Sequence, residues 1–193
     1  MMKHALLEGI LDMEWDMFVR VRSDRYAPCQ TGPDNFRQIR GSLFEMWPDV
    51  MLASYLDDLT QARACGRNLL TEKYARMDQL IAPLSVNPVI VKILEIENKW
   101  QVELQEIYPA LYRRCCRKMD PTGNGSDFSV YLRCELETYS DFTLVLYHQN
   151  VRNAEDEKRN LALEALALLV RKSNYRDLAH AESCMLEMSE GGR

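Results

Sequence analysis

The sequence predicts a single all-α domain, a bundle of about seven to eight helices that spans residues 1–193. Glycine (8) and proline (7) together form only about 8% of the chain, against a usual ~12%. There are 25 leucine and 10 methionine residues but 11 valine and 7 isoleucine residues. Because unbranched side chains keep more rotamer freedom in a helix than β-branched ones, this composition favours helices. No strand pattern is longer than four residues, and no linker divides the chain.

Local sequence signals mark the ends of the first four helices. The run SDRYAPCQTGPDN interrupts the chain after the first helix, and Pro33 suits the first turn of the second. Pro48 opens the third helix, and Gly66 ends it as the residue after the C-cap. Asn68 can cap the fourth helix through its side chain. These signals predict helices at about 4–22, 33–46, 48–65 and 69–81.

The second half of the chain contains similar signals. Ala82-Pro83 ends the fourth helix, and Asn87-Pro88 begins the fifth. The run MDPTGNGS precedes a long sixth helix, for which Ser126 is a candidate cap. Two further helices complete the chain. The predicted helices lie at about 88–108, 127–152, 156–172 and 177–188.

Charge and hydropathy exclude two classes of protein. A net charge of −5 and a pI of about 5.3 argue against a nucleic-acid-binding protein, which normally has a basic face. No apolar run approaches the ~18–20 residues that span a bilayer. Acidic residues interrupt the apolar N-terminal stretch, which therefore does not resemble a signal peptide. We expect a cytoplasmic protein without nucleic-acid or membrane partners.

Six cysteines, none of them in CxxC spacing, predict reduced thiols rather than disulfides or a zinc site. With only three histidines in the chain, the sequence predicts no metal site and no cofactor. Cys29 is a candidate nucleophile without a recognisable base. The basic cluster of Arg113, Arg114, Arg117 and Lys118 is typical of a solvated helix end, and contact with a phosphate or another anion is the alternative.

Four charged residues lie on helix faces that are otherwise apolar. Glu14 falls near the middle of the apolar arc of the first helix, and Glu135 lies among aromatic residues of the sixth. Lys73 falls on the inward face of the fourth helix, and Arg40 borders that of the second. Since an unpaired charge in an apolar core is strongly unfavourable, these groups should contact each other or a ligand.

Three interpretations of these charges stay open. The first is a structural network of buried salt bridges between packed helices. The second is a polar pocket in which burial and like charges shift the pKa values of Glu14 and Glu135 toward acid–base use. The third is a dimetal carboxylate site, although the Glu-x-x-His pairs typical of such bundles are missing. Glu97 is either a further carboxylate of this cluster or a residue at its rim.

Neighbouring polar residues extend the cluster. Glu72 and Arg76 lie four residues apart on the fourth helix, and Arg133 and Glu137 repeat that spacing on the outer side of the sixth. Four tyrosines on or beside inward faces are either core aromatics or ligand contacts. These tyrosines are Tyr55, Tyr74, Tyr131 and Tyr139.

Five segments of the sequence resemble one known family. They are EWDMF (14–18), CQTGPDNFRQIR (29–40), SYLDDL (54–59), RNLLTEKYARM (67–77) and YLRCELETYS (131–140). Over about residues 14–182, these segments resemble the bacterial domain-of-unknown-function family 4125. The resemblance implies a cytosolic helical domain, sometimes joined to a nucleotidyltransferase-like domain, with no settled activity. The family's motif residues correspond to Glu14, Cys29, Gln30, Arg40, Tyr55, Asp58, Asn68, Glu72, Lys73, Tyr74, Tyr131, Arg133, Glu135, Tyr139 and Ser140.

The inward charges favour a metal-independent enzyme that acts on a small polar or amino-acid-like metabolite. Glu14 or Glu135 would be the general acid or base, and Lys73 would stabilise charge or attack as an amine. The predicted catalytic residues are Glu14, Lys73, Glu135 and Tyr139. The predicted substrate-binding residues are Arg40, Tyr55, Asn68, Glu72, Tyr74, Tyr131 and Arg133. The alternatives are a non-catalytic helical module that partners a nucleotidyltransferase-like or another protein, and a dimetal carboxylate oxygenase.

Overall fold

A computed structural model describes residues 2–21, 32–119 and 127–190 of the chain. These ranges contain ten α-helices and no strand, which confirms the all-α prediction. The helices are α1 (Met2–Phe18), α2 (Pro33–Phe44), α3 (Asp49–Ala64), α4 (Leu69–Met77), α5 (Val89–Ile107), α6 (Pro109–Cys115), α7 (Phe128–Leu136), α8 (Asp141–Asp156), α9 (Leu161–Lys172) and α10 (Leu178–Glu190).

The single helix predicted at 127–152 was wrong, because two helices, α7 and α8, occupy this range. The side chain of Ser140 caps α8 by accepting a hydrogen bond from the backbone N–H of Thr143. The carboxylate of Asp58 in α3 accepts the Ser140 N–H at 3.0 Å. These bonds hold a turn between the helices. As a result Phe142, which a continuous helix would place on the inner face, is 63% exposed.

Helix α6 has no counterpart among the predicted helices. Pro109 occupies its first turn, where the missing N–H of proline has no intrahelical partner to lose. The carboxylate of Glu182 in α10 accepts the N–H groups of Ala110 and Leu111 at 2.9 and 2.7 Å. The cap therefore comes from a residue some seventy positions along the chain, which local sequence signals do not reveal. This helix and the division of the sixth raise the number of helices from eight to ten.

Most of the predicted helix ends are close to the observed ones. Gly66 follows the C-cap of α3 with a φ of +71°, as predicted. Asn68 caps α4 by accepting the Thr71 N–H at 2.9 Å, which confirms the predicted cap. The cap of α7 is Asp127, whereas the predicted cap Ser126 lies outside the described residues.

Two clusters of buried apolar side chains form the core. The larger one joins α1 to α5 and α7 to α9 around residues such as Met51, Leu52 and Ile93. The smaller one joins α5, α6, α9 and α10 and includes Leu111 and Val170. Helix α1 packs against α2, α3 and α4, while α2 also packs against α9. The cavity that forms the candidate functional site is lined from both clusters.

Candidate functional site

Four charged side chains from four helices meet inside the bundle. Arg40 of α2 donates through Nε and Nη2 to the two carboxylate oxygens of Glu14 in α1, at 2.8 and 2.5 Å. The same Nη2 donates to Oε1 of Glu135 in α7 at 2.7 Å. Lys73 of α4 donates to the other oxygen of Glu135 at 2.5 Å. Of the two expected outcomes, contact with each other or with a ligand, the first is observed, because each of the four residues contacts at least one partner of opposite charge.

All four side chains are buried. Glu14 is fully enclosed, and Lys73, Glu135 and Arg40 are only 5%, 6% and 9% exposed. The two carboxylates balance the two cations, so the cluster is neutral as a whole. In the described ranges, every buried side-chain nitrogen or oxygen has a hydrogen-bond partner. Full pairing is what allows this much charge to remain inside an apolar core.

Two tyrosines complete the hydrogen bonding of the carboxylates. Tyr55 donates its hydroxyl to Glu14 at 2.7 Å, and Tyr139 donates to Glu135 at 2.9 Å. Burial raises the pKa of both phenols well above the ordinary range, and the neighbouring carboxylates raise it further. Both hydroxyls therefore stay protonated and act as donors.

Neighbouring charges outweigh burial at Glu135 and Arg40, whereas burial prevails at Lys73. Burial opposes the ionisation of Glu135, but Arg40 and Lys73 outweigh it and hold the pKa of Glu135 well below its usual range. Burial also opposes the charge on Arg40, yet Glu135 and Glu14 raise its pKa. For Lys73 the balance is reversed, because burial and the nearby Arg40 lower its pKa despite the contact with Glu135. Lys73 is therefore the member of the network whose proton is most easily removed.

A cavity of about 360 Å³ lies beside this network and is lined by all four of its charged residues. It reaches the surface beside Ile39 and Leu43, which are 41% and 42% exposed. Apolar side chains make up much of the remaining wall. They include Phe18, Phe36, Leu69, Leu70, Phe128 and Leu166. A polar floor under apolar walls is the usual composition of a small-molecule site.

Several polar residues that line the cavity were not among the predicted site residues. Gln101 is one of them, and Arg117 was named only in the basic cluster, with contact to an anion as the alternative. Gln101 of α5 is 7% exposed and lines the cavity. Its spacing of three residues from Leu104, on the inward face, was the available signal. Arg117 follows α6, and its guanidinium lies 4.0 Å from the ring centroid of Tyr131. Its position depends on α6, which local signals did not predict.

Most of the predicted site residues line one of two cavities. Tyr74 and Tyr131 line the main cavity together with the charged network and Tyr55. Tyr139 lines a smaller adjoining cavity of about 110 Å³, which shares Arg40 and Glu135 with the first.

Three predicted substrate-binding residues lie elsewhere. Asn68 caps α4 and donates its side-chain amide to the Met17 carbonyl at 2.8 Å. Glu72 pairs with Arg67 through two hydrogen bonds of 2.9 and 2.6 Å. Arg133 is exposed. Among the described residues, none of these three lines either cavity.

The two predicted pairs at four-residue spacing were also wrong. Arg76 pairs not with Glu72 but with Glu137 at 2.8 Å, which joins α4 to the end of α7. Glu137 is only 5% exposed and therefore does not lie on an outer face with Arg133. The packing of α4 on α7 explains both differences from the prediction, because it brings Arg76 next to Glu137.

Glu97 lines the smaller cavity. Its carboxylate accepts a hydrogen bond from the Tyr147 hydroxyl at 2.8 Å. Burial raises the pKa of Glu97 to about 7, although this hydrogen bond acts in the opposite direction. Glu97 therefore titrates near neutral pH, which neither sequence interpretation of this residue anticipated.

This raised pKa predicts a pH-dependent stability. Because the pKa of Glu97 is higher in the folded than in the unfolded chain, the protein should lose stability as the pH rises from about 5 through 7. Glu97→Gln should remove this loss and stabilise the protein by about 1–3 kcal/mol at pH 8. Urea denaturation at pH 5 and pH 8 measures the effect. The control is Glu95→Gln, an exposed position on the same helix. An unchanged pH dependence in Glu97→Gln would contradict the prediction.

Within the described ranges, no group of three or more histidine, cysteine or acidic side chains could hold a metal ion. The five cysteines in these ranges are free thiols, and Cys29 and Gln30 lie outside them. No helix described by the structure is both long and apolar enough to cross a membrane.

Comparison with known proteins identifies the family. No curated protein and no solved structure matches the chain. The family model described as "Protein of unknown function (DUF4125)" matches residues 4–183, which is almost the whole chain. The resemblance found in the sequence is thereby confirmed. The chain belongs to the DUF4125 family.

Proposed function

We propose that this protein is a metal-independent enzyme that binds a small metabolite in the main cavity and transfers a proton through Lys73. One observation carries the proposal: the buried charges form the floor of a cavity that reaches the surface, rather than a closed helix interface. A purely structural network would need no such access. The polar floor and apolar walls suit an amino-acid-like metabolite with an apolar side chain.

The pKa directions decide the role of each charged residue. Glu135 stays ionised because Arg40 and Lys73 hold its pKa low, so it is a weak proton acceptor. Lys73, whose pKa is lowered by burial, is the better general acid and base. Glu135 then serves as its counter-ion and fixes its position. Arg40 and Glu14 hold Glu135 in place from the other side.

A turnover assay tests the proposal. The purified protein is incubated with a bacterial metabolite extract, and mass spectrometry identifies compounds that are consumed or formed. We expect turnover with the wild type and a loss of at least ~100-fold in Lys73→Met, the usual contribution of a general acid or base. The matched control is Arg76→Met, which removes a half-buried ion-pair partner from the same helix but lies outside the cavity. Wild-type turnover in Lys73→Met would contradict the proposal.

A non-catalytic helical module that partners a nucleotidyltransferase-like or another protein is the second candidate. The segment between α4 and α5 favours it, because Leu80 and Val86 are 75% and 91% exposed there. Under this alternative the charges serve only stability, and the assay above finds no turnover by the wild type. For either function we propose a location in the cytosol, which keeps free thiols reduced.

A further inference from the structure

We propose that Arg117 forms a subsite for an anionic group of the ligand, a carboxylate or a phosphate. The inference rests on the proposed function, since it names the chemistry recognised at the same cavity. The charges that line the cavity are the first observation behind it. Glu14, Glu135, Arg40 and Lys73 compensate one another, whereas Arg117 has no ion pair among the described residues. Among the lining residues that the structure describes, Arg117 is therefore the one positive charge without a counter-ion.

The backbone around Arg117 is fixed by two hydrogen bonds. The Tyr112 hydroxyl donates to the Arg117 carbonyl at 2.8 Å, and the Phe128 N–H donates to the Lys118 carbonyl at 3.0 Å. The first bond ties the segment to α6 and the second ties it to the start of α7. A half-buried guanidinium on a fixed backbone is prepared to bind an anion with little loss of freedom.

Tyr131 connects Arg117 to the floor of the cavity. Its ring lies 4.0 Å from the guanidinium carbon of Arg117 and 3.5 Å from Nζ of Lys73. One aromatic ring therefore contacts both Arg117 and the proposed acid–base residue. A ligand whose anionic group binds Arg117 therefore lies beside the ring that also contacts Lys73.

Two further features fit such a ligand. Gln101 lines the cavity, and its side-chain amide can bond a polar group of the ligand. The apolar wall, which includes Phe18 and Leu166, suits an apolar body. The planar guanidinium of arginine binds carboxylate and phosphate through two parallel hydrogen bonds. Together these features describe an anion with a short apolar body.

Three probes with the same apolar body test the subsite: hexanoate, hexyl phosphate and the neutral hexan-1-ol. Affinities are measured by titration with ¹H–¹⁵N NMR, which also shows whether cavity residues respond. We expect the wild type to bind at least one anion about tenfold more tightly than the alcohol. Arg117→Gln should lose this advantage but bind the alcohol as the wild type does. Preference for hexanoate or for hexyl phosphate shows which anion the subsite takes.

The matched control is Arg114→Gln, which removes an exposed charge of the same basic cluster that lies outside the cavity lining. We expect this variant to bind the anions within about twofold of the wild type. The proposed subsite is contradicted if Arg117→Gln binds the anions as tightly as the wild type does. It is also contradicted if Arg114→Gln lowers the affinity for the anions by the same factor as Arg117→Gln. In that case alcohol binding at the cavity still supports the proposed function. If no probe shifts the NMR signals of the cavity residues, both the proposed subsite and the proposed ligand-binding role of the cavity are contradicted.

Discussion

Arg40→Met is expected to destabilise the protein by about 3–5 kcal/mol, the largest effect of any single charge removal in the network. In the part of the chain that the structure describes, Arg40 alone bonds both carboxylates, Glu14 and Glu135. Without it Glu14 keeps only the Tyr55 hydroxyl as a partner, and Glu135 depends on Lys73 and Tyr139. A buried carboxylate without a counter-ion is strongly unfavourable. Urea denaturation followed by circular dichroism measures the loss.

A neighbouring arginine on the same helix provides the control. Arg37 pairs with Glu8 and Asp12 of α1, but these acidic side chains are 44% and 71% exposed. Arg37→Met should therefore lose less than about 1 kcal/mol. A loss in Arg40→Met as small as that in Arg37→Met would show that the buried network does not hold α2 to α1.

The effect of Arg40→Met should also depend on pH. Burial disfavours ionised Glu135, but Arg40 and Lys73 together hold its pKa below the ordinary value of 4.5. Stability from this pairing is therefore fully present above about pH 5 and is lost as the pH falls below 4.5. The difference between wild type and Arg40→Met should narrow over that lower range. A constant difference from pH 7 to pH 3 would contradict the role of Arg40 as counter-ion to Glu135.

The double variant Lys73→Met/Glu135→Gln is expected to keep its stability within about 1 kcal/mol of the wild type, since apolar or neutral replacements of a buried ion pair are often tolerated. Arg40 and Glu14 remain paired, and the new glutamine can still accept hydrogen bonds from Arg40 and Tyr139. Lys73→Met alone should destabilise the protein by about 3 kcal/mol, because the buried carboxylates of Glu14 and Glu135 then share Arg40 as their counter-ion. Denaturation of wild type, both single variants and the double variant gives the coupling energy.

The same double variant should lose turnover while it keeps its fold, which separates a catalytic pair from a structural one. The matched control is Arg76→Met/Glu137→Gln, which removes the other ion pair between α4 and α7 but does not touch the cavity lining. We expect that control to retain turnover. Equal retention in both double variants would make the Lys73–Glu135 pair a structural element only.

The sequence predicted the charged network because helical spacing is a local property. Glu14 and Glu135 each lie three or four residues from apolar neighbours, and this spacing alone puts them on inward faces. Their common location then follows from the unfavourable burial of an unpaired charge. The family resemblance marked the same residues, and the family match confirms the resemblance.

Features that depend on contacts between distant segments were not predictable in this way. Glu182 caps α6 from α10, and Arg76 exchanges the expected partner Glu72 for Glu137. The pKa of Glu97 depends on how deeply α5 is covered. Arg117 reaches the cavity only because α6 and the start of α7 hold its backbone. Each of these positions is decided by packing rather than by spacing along one helix.

The most direct test of a ligand-binding cavity over Lys73 and Glu135 is a crystal structure of the protein with the compound that it consumes from the extract. We predict density for a small molecule in the cavity, with a polar atom within hydrogen-bond distance of Lys73 Nζ and its apolar part against Phe18 and Leu166. A structure in which the four charged side chains contact only one another, and in which side chains or water alone fill the cavity, would contradict the proposed function.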